Sequence, residues 1–189
     1  KATTPMAIDF CRRAEEYNPF WIEEATQLED LGELELLRQQ TSVPLATGER
    51  HLNKFEFSEI CARHLVNYVT PDVVHCGGIT EMKKIAAIAE AFRIDLSPHN
   101  PQSEVCTVAS AHICMSSANA TLLEIGSGQT PFFEDLFLGG NIVFENGYGT
   151  LQDRPGLGLD LDEKIAAKYP YLEKEWSAHE WGDGAIGDR

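Results

Sequence analysis

The chain has 189 residues, enough for one sizeable domain with a core of its own, and its 43% hydrophobic and 24% charged residues are ordinary for a globular protein in water. A formal net charge of −15 argues against nucleic acid or an anionic membrane as a partner, because both select basic patches. With no signal peptide and no run of about 18 apolar residues, no membrane span is expected and the expected location is cytoplasmic.

Taken in order, Thr4-Pro5 opens a helix that runs to about Tyr17, with Thr as cap and Met6, Phe10 and Ala14 on one face. Asn18-Pro19 breaks it, and Phe20–Glu23 is the first strand. Glu29–Gln40 reads as a helix with Leu31, Leu34 and Leu36 or Leu37 facing inward, and Pro44–Gly48 as a strand ending at Glu49. A helix over Lys54–His64 leads to a strand at Val66–Val69 and then Pro71-Asp72. Thr80 is a suitable cap for an Ala-rich helix over Glu81–Phe92. Ile94–Ser97 is the next strand and runs into Pro98-His99-Asn100-Pro101. Ser103–Met115 is a small-residue helix, and Thr121–Leu123 is a strand ending at Glu124.

Strands alternating with helices predict α/β with a parallel sheet. The polar residues at the strand ends, Glu23, Glu49, Asp72, His99 and Glu124, are spaced 26, 23, 27 and 25 residues apart in turn. One strand, one helix and two loops take about that length. The steady interval predicts the C-terminal part of a (β/α)8 TIM-type barrel, about five βα units over residues 1–138. Beyond it, Phe132–Phe137 reads as a short helix, Ile142–Gln152 as a hairpin around Glu145-Asn146-Gly147, and Asp162–Lys168 as a short helix. Residues 139–189, with Trp176 and Trp181 in the tail, are expected to pack on the barrel or to complete an α+β capping domain. Three further strands are expected to lie upstream, outside this sequence. Five scattered cysteines (Cys11, Cys61, Cys76, Cys106, Cys114) without a Cys-x-x-Cys read as reduced, buried thiols.

Neighbouring parallel strands lie about 4.8 Å apart, so groups at adjacent strand ends can meet. Glu23 and Glu49 would then repel unless a hard divalent cation joined them, and an oxygen-only pair favours Mg2+. The alternative for each is a helix cap or a Lys or Arg partner. Asp72 beside His99 would fix the imidazole tautomer and make the other nitrogen a better base. His99 sits between two prolines in a stiff loop, whereas His51, His64, His75, His112 and His179 show no such strand-end partner. Glu124 faces the same mouth, where a protonated carboxyl can donate to an oxyanion.

Trp-Ile-Glu-Glu-Ala at 21–25, Thr-Gly-Glu-Arg at 47–50, Pro71-Asp72 with Gly-Gly-Ile at 77–79, Ser-Pro-His-Asn-Pro at 97–101, Leu-Leu-Glu at 122–124 and Arg-Pro-Gly-Leu-Gly at 154–158 together resemble the enolase superfamily, mandelate racemase subgroup. The His-Asn-Pro-Gln wording is most similar to acid-sugar dehydratases of the galactonate and gluconate type. The resemblance implies a Mg2+-dependent lyase acting on a sugar acid. The proton α to the carboxylate is removed, an enediolate forms, and loss of the 3-hydroxyl gives a 2-keto-3-deoxy acid. It places Glu23 and Glu49 as metal ligands, Asp72 and His99 as the dyad, and Glu124, Arg50 and Asn100 at the substrate. It also implies a homo-oligomer and a need for the N-terminal region in cis or in trans. Ala25 stands where the family usually has proline. The first metal ligand and a second acid/base residue belong to strands that this sequence does not show. An epimerase or cycloisomerase of the same superfamily, or an inactive half of a two-chain barrel, are the other readings.

Overall fold

The computed structural model describes residues 2–28, 30–126, 136–139, 142–170 and 173. Helix α1, Thr4–Ala14, is capped at Thr3 and carries proline in its first turn, then tightens into a 3-10 turn at Glu15–Tyr17. Asn18, at φ 47, turns the chain out of it. Strand β1 (Ile22–Glu23), helix α2 (Leu31–Gln40), β2 (Leu45–Thr47), α3 (Lys54–Ala62), β3 (Tyr68–Val69), α4 (Ile79–Ala91), β4 (Asp95–Leu96) and α5 (Glu104–Met115) follow in strict alternation.

The four strands form one parallel sheet in the order β1-β2-β3-β4, each beside its predecessor. A further parallel bridge joins Leu96 to Ala120, so the expected fifth strand is present as a single bridge just upstream of 121–123. This is the (β/α) repeat of a barrel, with every strand C-terminus on one rim. The register aligns Glu23, Ala46, Tyr68 and Asp95 in one row across the sheet. Residues that alternate with this row, Leu45, Val69 and Leu96, pack with Leu37, Phe57, Ile60, Met82, Ile85 and Ile113 of the helices in the main core. Since side chains alternate along a strand, the Glu23 row lies on the opposite face.

Several expected details shift. The stripe of α1 that is buried is Thr4, Ala7 and Cys11; Met6 and Phe10 are 62% and 59% exposed. Leu34 and Leu37 face the core from α2, whereas Leu36 is exposed. The cap of α4 is Gly78, at φ 88 after Gly77 at φ 101, rather than Thr80.

Beyond the sheet, β5 (Phe137–Gly139) pairs antiparallel with β8 (Leu159–Leu161). Strands β6 (Val143–Glu145) and β7 (Tyr148–Thr150) make the expected hairpin, its turn residues Asn146 and Gly147 both at positive φ. Phe137 thus opens a strand; the rest of the helix expected at 132–137 lies largely outside the described residues, as do Trp176 and Trp181. Asp162 caps the short helix α6, Glu163–Ala166, by accepting from the Lys164 and Ile165 amides. Among the described residues no helix is long and apolar enough to cross a membrane. All five cysteines are free and four are buried; burial pushes Cys61 and Cys106 up to about 12.

Candidate active site

Each strand hands its first loop residues to the same rim. After β2, Gly48 passes so close to β3 that an added Cβ would lie 2.5–2.7 Å from Thr70 backbone atoms. Only glycine permits that approach, which sets Glu49 beside the β3 end. After β3, Asp72 is fully buried, with Oδ1 accepting the Val74 amide at 2.7 Å. After β4, His99 Nδ1 lies 2.9 Å from Asp72 Oδ2 and its Nε2 lies 3.0 Å from Glu49 Oε2. A carboxylate only accepts, so Nδ1 carries the proton facing Asp72.

Glu124 approaches from the last strand end. Its Oε2 accepts the Asn100 amide at 2.8 Å, and its main-chain carbonyl accepts from Asn100 Nδ2 at 2.8 Å. Asn100 is fully buried and also bonds Thr107 Oγ1, so its side chain is a brace between the β4 loop, α5 and Glu124. Glu23, exposed on the rim, accepts from Trp21 Nε1 at 3.3 Å. A cavity of about 280 Å³ is lined by Trp21, Glu23, His99, Leu122 and Glu124, among others. Larger cavities, of about 600 Å³ beside Arg50 and His51 and about 570 Å³ beside the β6–β7 hairpin, hold none of Glu23, Asp72, His99 or Glu124.

Electrostatically the rim is strained by negative charge. The Glu49 carboxyl is pushed above its ordinary range, first by burial and then by repulsion from Glu24, with Glu23 and Glu124 adding to it and His99 opposing it. An acidic pocket of oxygen donors in this state is suited to a hard divalent cation, and Glu23 with Glu49 are the residues that would hold one. Asp72, His75 and His99 also bring ligand-type atoms within 4.8 Å of one another, but that nitrogen-rich set suits borderline metals better than Mg2+.

Arg50 donates from Nε to Glu24 Oε2 at 3.0 Å, and Glu24 is largely buried with its acid pushed up by that burial. The strand period places Glu23 and Glu24 on opposite faces. Strand β1 ends at Glu23, and Glu24 follows at φ 46 with its carboxylate on Arg50. His75, expected from the sequence to lack a strand-end partner, has one. Its Nδ1 lies 2.9 Å from the Glu49 carbonyl oxygen, reached through a tight turn three residues after Asp72.

A parallel (β/α) sheet with acids and a paired histidine at consecutive strand ends defines a class of barrel proteins, and the comparisons specify it. Residues 1–165 match the Enolase C-terminal domain-like family, and the chain belongs to it. A D-galactonate dehydratase from Ralstonia nicotianae is 33% identical over 195 residues, covering 100% of this chain and 51% of that protein. The crystal structure of a mandelate racemase/muconate lactonizing enzyme-like protein from Rubrobacter xylanophilus is 40% identical with a TM-score of 0.84, over 90% of this chain and 43% of that one. An enolase from Pantoea ananatis with bound D-gluconate and Mg is 32% identical with a TM-score of 0.83, over 89% of this chain and 41% of that one. The chain thus spans about half the length of the curated relatives it matches.

Proposed function

We propose that this chain supplies one side of the active-site rim of a Mg2+-dependent sugar-acid dehydratase. The observation that carries the reading is His99, held between Asp72 and Glu49 at the edge of a cavity shared with Glu23 and Glu124. The similarity to a D-galactonate dehydratase and to a gluconate- and Mg-bound enolase supports the substrate class.

In this reading Glu23 and Glu49 hold the cation, which when bound offsets the charge of the substrate carboxylate and of the enediolate. With Glu49 turned to the cation, Nε2 of His99, oriented through Nδ1 by Asp72, would be free to take the proton α to the carboxylate. Glu124, braced by Asn100, faces the substrate carboxylate. Arg50 holds Glu24 beside the Glu49 loop. The carbanionic electrons then expel the hydroxyl at carbon 3, which takes up a proton and leaves as water, and the enol product tautomerises to a 2-keto-3-deoxy acid.

The half-length match and the open edges of the sheet support a further element of the proposal. Phe20, just before β1, and Leu122, just after the Leu96–Ala120 bridge, are 60% and 48% exposed. The rest of the barrel comes from additional residues, in cis or in trans, and the assembled enzyme is a homo-oligomer. The direct test is to incubate the full-length form with a panel of aldonates and follow 2-keto acid formation with and without EDTA. Metal-dependent formation supports the reading. Exchange of the α-proton with solvent deuterium, without loss of water, would reassign it to an epimerase or cycloisomerase.

A further inference from the structure

Immediately after β3 the chain makes one tight turn. The His75 and Cys76 amides both donate to the Asp72 carbonyl, at 3.1 and 2.8 Å, and the Gly78 amide donates to the Val73 carbonyl. The turn carries His75 back over the strand ends. There its Nδ1 lies 2.9 Å from the main-chain carbonyl oxygen of Glu49, and its Nε2 lies 3.5 Å from Gln102 Nε2. A carbonyl only accepts, so Nδ1 is the protonated nitrogen and Nε2 the acceptor. The ring also sits 6.2 Å from that of His99. One side chain thus ties its own loop to the loops after β2 and β4.

The contact with Glu49 falls on a mechanically sensitive bond. The His51 amide donates to the Gly48 carbonyl at 3.1 Å, which makes residues 48–51 a β-turn with Glu49-Arg50 at its centre. The central peptide of such a turn is the unit that reverses between turn types, and the reversal changes ψ of the first central residue by about 150°. Gly48 is pinned against Thr70 and cannot share that motion. The reversal leaves the Glu49 Cβ in place, since φ of the first central residue is about −60° in both turn types; what an anchor on the carbonyl fixes is the backbone of the turn on which the carboxylate is carried.

We propose that His75 is a positioning residue for Glu49: its Nδ1–H clamps the central carbonyl of the 48–51 turn and so steadies the loop from which the Glu49 carboxylate reaches the cation site. The proposal deepens the functional reading above and rests on its assignment of Glu49 as a cation ligand. The role is that of a donor outside the ligand set, the kind whose loss weakens metal binding about 10–100-fold.

Calorimetric titration of Mg2+ into the full-length form tests it, with His75→Ala, His75→Phe and His75→Asn beside the wild type and thermal melting to confirm folding. The asparagine amide can donate from nearly the position of Nδ1, whereas phenylalanine keeps the ring beside His99 and loses the donor. The expected result is a loss of about 10-fold or more in Mg2+ affinity for Ala and Phe, and recovery to within about threefold for Asn. Wild-type affinity in His75→Ala or His75→Phe would overturn the proposal. Aldonate turnover by the wild type is read in parallel. The expected Mg2+ pattern without turnover would sink the substrate assignment and uphold the clamp, while absence of Mg2+ binding in the wild type would sink both.

Discussion

Asp72 Oδ2 lies 2.9 Å from His99 Nδ1, and Asp72 itself is sealed from solvent while His99 reaches the cavity. The buried partner can do little except hold the ring and its tautomer, because its other oxygen is already committed to the Val74 amide. Asp72→Asn keeps the shape and the Val74 bond but offers His99 an amide in place of a carboxylate. We expect kcat to fall by about 10²–10⁴-fold, with Mg2+ affinity within about threefold of wild type. Steady-state kinetics and a metal titration on the same preparation check both parts.

Glu49 pays for its place on the rim in the cation-free protein. Its folded-state acid is raised above the ordinary 4.5, chiefly by burial and then by Glu24. The native state therefore keeps the proton longer than the unfolded chain does. Its ionisation destabilises the fold progressively as pH rises from 4.5 through the raised value. Glu49→Gln removes that cost. Without Mg2+, the variant should melt above wild type at pH 7, and the difference should vanish below pH 4.5. The same substitution should weaken Mg2+ binding, so stability and metal affinity move in opposite directions. Melting curves across pH with EDTA present are the measurement.

Gly48 carries the exit of β2 directly against the Thr70 backbone at the exit of β3. Its substitution by alanine drives a methyl into the Thr70 backbone, which has no rotamer by which to move aside. Overpacking of this kind costs about 1–3 kcal/mol. Urea unfolding of Gly48→Ala should show that loss, and the displaced Glu49 loop should bind Mg2+ more weakly. An unchanged midpoint would mean the two strand ends are less tightly joined than the geometry requires.

The sequence made the alternation of strands and helices legible because each strand end carries a polar residue and the intervals are nearly constant. The convergence of Asp72, His99 and Glu49 follows from that layout. Other features follow from local geometry that periodicity does not encode. Strand β1 stops at Glu23, where Glu24 follows in the left-handed region. Residue size misleads in α1, where the small residues Thr4, Ala7 and Cys11 face inward and the bulky Met6 and Phe10 do not. Gly78 displaces Thr80 as a cap because the Gly77-Gly78 pair turns the chain at positive φ before the threonine is reached. His75 is legible only in hindsight, as the last residue of a four-residue turn that closes on Asp72.

The central claim is that His99 removes a proton from the carbon beside a carboxylate. It is tested most directly by following α-hydrogen loss from a turned-over aldonate in deuterium oxide by NMR, with the full-length wild type and with His99→Asn at saturating Mg2+. The account predicts α-proton loss in the wild type and a fall of about 10²-fold or more in His99→Asn, with Mg2+ still bound. Proton loss at the wild-type rate in His99→Asn would contradict it.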